Sequence, residues 1–299
     1  MSFETFIQRA QEQMQQLVEA GEQVVVTDVH KDNGKHYNGI GVRSSNDSAV
    51  PVASLEDMYT DYAAGSTLYA ICAAVLQHLR DARGNASATL NMAFDLEFVK
   101  NNVFAMLINH DLNRDALAAL VHKPYLDLEI ILYIDFEQKH ILKVTKPLLQ
   151  QWGVSEESLF EYAFHNLIVK RPVVIEALKD TLVCMMTDLS LADSDTIATI
   201  MKYAAVSSLH IVTNDTGQYG AICMLYPDVL ARFADKMNSD LIIFPSSVHE
   251  VLLFAITDKN SEKEASKLVR EINSTILQEH VLANNAYKYL RETGKITII

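Results

Sequence analysis

The chain of 299 residues is 49% hydrophobic and 21% charged, which is globular composition, and its 38 acidic against 25 basic residues leave a net charge of −13. Binding a nucleic-acid duplex or an anionic membrane needs clustered Lys and Arg; the densest basic spots here, "VKRP" and "KLVR", are small, so neither is an expected partner. No run approaches the ~18 apolar residues of a spanning helix. The N-terminus has no basic segment followed by an apolar one, and Cys72, Cys184 and Cys223 stand far apart without ligand spacing, so a soluble cytoplasmic protein is expected.

Phe3, Phe6, Ile7, Ala10, Met14, Leu17 and Val18 share one face at helical spacing, and Gly21 follows as a helix-ending glycine. "QVVVTDV" and "IGVRSS" flank a turn-rich stretch with two Asn-Gly pairs and read as paired strands. Ser54, Glu56 and Asp57 open a helix, and Leu68 to Leu79 carries a clean apolar stripe. "VFAMLIN" reads as a strand, and "YLDLEIILYID" with "HILKVT" as a hairpin turned at "FEQK". A helix capped by Ser155 follows, ending before Pro172, and residues 173–206 read as largely helical.

From residue 208 the pattern is strand, strand, helix, strand, strand, helix. "LHIVT" and "YGAICMLY" form a hairpin around "NDTGQ", and Pro227 opens a helix. "LIIF" and "VLLFAI" flank "PSSVHE", and a capping box from Ser261 to Glu264 starts a helix with Ala265, Leu268, Val269, Ile272 and Ile276 as its stripe. Paired neighbouring strands specify an α+β fold of antiparallel β-hairpins packed with amphipathic helices, ending in a ββαββα region. With no linker or repeat, a single compact domain over 1–299 is expected, or two packed halves, about 1–170 and 171–299.

The chain has no phosphate-binding glycine loop and no HExxH, GxSxG or calcium-loop pattern, so no cofactor is expected. In "PSSVHE", Ser247, His249 and Glu250 are the catalytic candidates. A serine nucleophile needs a base within hydrogen-bond reach, and residues two apart on an extended loop point the same way. The same stretch also reads as a polar connector, its serines bonding backbone. His110, Asp111, His122 and Asp127 carry metal-compatible side chains, but their spacing matches no common site and no metal is expected. In "TNDTGQYGA", the amides of Gly217 and Gly220 could hold a ligand or simply serve a turn. Asn109, Asp127, Asn214 and Tyr219 are the ligand-binding candidates.

Several stretches in order, among them "VFAMLINHDLNRDALAALVHKPYLDLEIILYI", "LLQQWGVSEESLFEYAFHNLI" and "HIVTNDTGQYGAICMLYPDVLARFADKMNSDLIIFPSSVHEVLLF", resemble an uncharacterised bacterial family, domain of unknown function 5688, found mainly in anaerobic Gram-positive bacteria. The resemblance implies one architecture along most of the chain. It carries no activity, cofactor or catalytic residue. A non-enzymatic binding or regulatory protein, with an unknown protein or small-molecule partner, is the first expectation; a hydrolase-type enzyme using the "PSSVHE" loop is the alternative.

Overall fold

In the computed structural model, the described residues are 1–30, 32–45, 50–136, 140–178, 180–181, 209–256 and 280–299, with 265, 267, 269, 270 and 273. They form an α+β fold in which every strand pair is antiparallel. The chain divides into two compact units, Met1–Val99 and Lys100–Ile299. The division falls well before residue 170, because the core of the first unit closes on residues 3–79 alone.

The first unit opens with α1 (Phe3–Gln15), whose N-terminus is capped by the Ser2 hydroxyl accepting from Thr5 N. Strands β1 (Gln23–His30) and β2 (His36–Arg43) pair as their sequences require, and β3 (Val52–Ser54) adds to β2. Helix α2 (Leu55–Ala63) follows, and α3 (Leu68–Phe94) runs a further four turns past Leu79. Phe6, Ala10 and Met14 of α1 meet Val24, Ile40, Leu55 and Cys72 in a buried core. The Glu56 carboxylate accepts from Asn38 N and Nδ2, fastening the start of α2 to β2.

The second unit begins within α4 (Leu96–Asn102) and holds two sheets. In the smaller, β4 (Val103–Asn109) and β5 (His122–Tyr125) flank β6 (Leu128–Phe136), and β7 (His140–Lys143) pairs with the far end of β6; the short helix α5 (Arg114–Leu117) lies between β4 and β5 in the chain. All seven residues of β4 and all nine of β6 are buried, so these strands are covered on both faces and are mostly apolar rather than alternating. Helix α6 (Lys146–Trp152) ends at Gly153 in the left-handed region. Helix α7 (Glu156–Lys170) carries Asn166, whose amide donates to the Lys100 and Val103 carbonyls and so ties the helix to the start of β4.

The larger sheet contains β8 (Val173–Ala177), β9 (Leu209–Asn214), β10 (Leu241–Phe244), β11 (Val251–Ala255), β12 (Tyr287–Leu290) and β13 (Lys295–Ile298), in the order β13-β12-β10-β11-β9-β8. Helix α8 (Val229–Met237) lies between β9 and β10 in the chain. Ile242, Phe244 and Leu252 pack with Ala265 and Val269 over one face of this sheet. Ser261, Glu264, Leu268, Ile272 and Ile276, the rest of the capping box and stripe read there, lie outside the described residues.

Three expectations are corrected. Residues 173–177 are a strand, not part of a helix: the run "VVIEA" is rich in β-branched residues and pairs with β9; residues 179 and 182–206 lie outside the described residues. "YGAICMLY" is no strand either. Both edges of β9 are already taken, by β8 and β11, and Gly220–Leu225 folds as a 3-10 turn instead. The helix expected from Ser261 is not the last element, because strands β12 and β13 come after it in the chain.

Gly220 fixes where that turn sits. A Cβ there would lie 2.2 Å from Thr213 Oγ1 and 2.7 Å from both Asn214 N and His249 O. Gly220→Ala is therefore expected to destabilise the protein by about 1–3 kcal/mol, read from urea unfolding; an unchanged midpoint would show that the turn has room to spare.

Candidate functional site

Phe244 ends β10 and Val251 starts β11, so residues 245–250 connect two paired strands. The connector closes on itself. Ser247 Oγ donates to Glu250 Oε1 at 2.8 Å and accepts from His249 N at 3.0 Å and Glu250 N at 3.3 Å. Ser246 Oγ lies 3.1 Å from Glu250 O and 3.2 Å from Glu250 Oε1. Both serines are buried.

The His249 ring is engaged elsewhere. Its Nδ1 accepts from Tyr219 N at 3.2 Å, which leaves the proton of the neutral ring on Nε2. The ring stands edge-on to His280 at 4.9 Å and 5.5 Å from Tyr219. Burial lowers the pKa of His249, and neighbouring His280 lowers it further against the opposing pull of Glu250. Ser247, His249 and Glu250 are thus brought together, but the hydroxyl bonds the carboxylate and the imidazole bonds a backbone amide. The base-on-nucleophile contact of a serine hydrolase is not what this loop forms.

The four ligand-binding candidates are also engaged in holding chain segments together. Asn109 donates from Nδ2 to Leu282 O at 3.0 Å, while its Oδ1 accepts from Leu112 N at 2.8 Å. Asp127 accepts from Tyr287 OH at 2.7 Å and from Asn285 Nδ2 at 2.9 Å. Asn214 closes the turn after β9, donating to Gln218 O and accepting from Thr216 N and Oγ1. Tyr219 adopts φ 53° and packs its ring between Tyr133 and His249.

One segment that sequence reasoning missed joins these places. Residues 280–287 receive Val248 N at the His280 carbonyl, Asn109 at the Leu282 carbonyl, and supply Asn285 and Tyr287 to Asp127. Half of what this strap offers here is backbone carbonyl, which every sequence carries, so "HVLANNAY" held no signal beyond its two asparagines and tyrosine.

Of the metal-compatible residues, His110 and His122 meet on one carboxylate, that of Glu129, while Asp111 and Asp127 are engaged elsewhere. Glu129, buried on β6, accepts from or is bonded by His110 Nδ1 at 2.7 Å and His122 Nδ1 at 2.8 Å. Asp111 pairs with Arg114, and Asp127 with the strap. Among the described residues no group of three or more His, Cys, Asp or Glu is arranged to hold a metal ion.

An open pocket lies elsewhere in this unit, where β8 and β9 meet α8. Its volume is about 400 Å³, within the range typical of small-ligand sites. Val173 and Ile175 of β8, with Pro227, Val229 and Phe233, supply an apolar lining. His210 of β9 stands edge-on to Phe233 at 4.9 Å, and Arg232 and Lys236, one turn apart on α8, bring positive charge to the same pocket. None of these residues carried a motif; only the packing of a helix on the last strands of a sheet assembles them.

Two tests follow from the polar contacts. Asp127→Ala leaves the buried Tyr287 hydroxyl without its acceptor and is expected to cost about 1–3 kcal/mol in urea unfolding. For His249 the folded-state pKa lies below the ordinary His value, so its stabilising contribution is full above about pH 6.5 and is lost as pH falls from there through the lower folded-state pKa. His249→Gln should flatten this acid-side loss relative to the wild type; parallel stability–pH curves would show that the ring is not the titrating group.

A family model described as "Family of unknown function (DUF5688)" matches residues 3–291. No curated protein matches the chain. No solved structure matches it either. The family match spans both compact units and includes the strap and the pocket, and the chain belongs to this family of unknown function.

Proposed function

We propose that this protein is a non-enzymatic binding protein of the cytoplasm whose ligand occupies the pocket between β8, β9 and α8. The observation that carries the reading is the pocket itself: about 400 Å³, apolar-lined, and bounded by strand and helix rather than by loops alone. Sites built on such elements hold their geometry without ligand. The polar residues of the "PSSVHE" connector support the same reading from the other side, because Ser246, Ser247 and His249 spend their hydrogen bonds on one another's backbone, on Glu250 and on Tyr219.

The cytoplasmic placement rests on chemistry. Cys72 and Cys223 are buried free thiols, and burial pushes the Cys223 thiol up to about 12, so it stays protonated and inert. No helix among the described residues is long and apolar enough to cross a membrane.

The binding reading is tested by methyl-detected NMR with a library of small fragments, reading the Ile175 methyl. Saturable shifts at Ile175 are expected, and Val173→Trp, which places a large ring in the pocket from the strand side, should abolish them. Failure of any fragment to give a saturable shift at Ile175 would overturn the proposal.

A further inference from the structure

We infer that the pocket selects a small organic anion with an apolar body, such as a medium-chain carboxylate; this rests on the binding reading above. The distribution of charge points to it. The chain as a whole carries −13, yet among the described residues the charged side chains lining this pocket are both cationic, Arg232 and Lys236. They sit four residues apart on α8, flanking Phe233, so a ligand whose apolar part lies on Phe233 and Ile175 presents its head to both.

Among the described residues, neither cation is neutralised by a strong internal partner. Arg232 has Asp228 at 3.8 Å, a pair with both side chains largely in water, which is worth little. Lys236 makes no ion pair among the described residues. A carboxylate can therefore take both cations by displacing one weak contact, and Arg offers it a two-pronged set of donors. A cationic ligand of the same shape would meet repulsion, and a neutral one would forgo both bonds.

The experiment titrates the full chain with hexanoate, hexan-1-ol and hexylammonium, following the Ile175 methyl, in the wild type and in an Arg232→Gln/Lys236→Gln variant. Hexanoate is expected to bind about tenfold more tightly than hexan-1-ol, with hexylammonium weakest. In the variant, and in high salt, hexanoate should fall to the level of the alcohol. Equal binding of hexanoate and hexan-1-ol by the wild type would overturn the anion preference while leaving the pocket a binding site. Saturable binding by none of the three would remove the anion inference; the fragment library then decides whether the binding reading falls with it. A hexanoate preference that persists in the variant would place the anion's partner elsewhere and overturn the role given to α8.

Discussion

The structure of the second unit depends on the carboxylate of Asp127. Tyr287 is fully buried, and a buried phenol without an acceptor is costly, so its hydroxyl must find one. Asp127 supplies it from the turn between β5 and β6, and takes Asn285 with its second oxygen. Burial and this bond together push the Tyr287 phenol far up, so it remains a donor at neutral pH. Asp127 belongs to the smaller sheet and Tyr287 to the larger, so one side chain fastens the two.

Around that point the strap 280–287 collects the other contacts. Asn109 reaches it from the end of β4, and Val248 reaches it from the connector between β10 and β11. The connector in turn grips the 3-10 turn through His249, whose carbonyl accepts from Thr213 and whose ring accepts from Tyr219. Polar residues in "LIN", "LDL", "TNDTGQYGA" and "PSSVHE" thus form one continuous scaffold. Such residues attract attention as potential catalysts because they are polar in an apolar context, yet a buried polar group needs partners for folding as much as for chemistry.

The pocket has the opposite character. It is made of residues that are individually ordinary: three β-branched side chains, a proline, a phenylalanine, a histidine and two exposed cations. It lies where Phe233 of α8 meets His210 of β9, beside Val173 and Ile175 of β8 at the end of the sheet. The scaffold and the pocket share β9: its C-terminal end makes the Asn214 turn, and His210 near its start faces the pocket.

The sequence by itself determined the fold class and many of the local elements. Apolar spacing and caps were enough for α1, α2, α7 and the β1–β2 hairpin, because those signals lie within a few residues of the structure they specify. It also marked Ser247, His249 and Glu250 as neighbours, which a six-residue connector guarantees. What it could not determine was partnership across the chain. "YGAICMLY" has the composition of a strand, and only the occupation of both edges of β9 by β8 and β11 makes it a 3-10 turn. Asp127 carries no trace in sequence of Tyr287, which is 160 positions away. The pocket likewise unites residues 173 to 236 that no spacing relates. Local propensity acts over single turns of chain, whereas edge pairing, buried hydrogen bonds and cavities are settled only when distant segments compete for the same space.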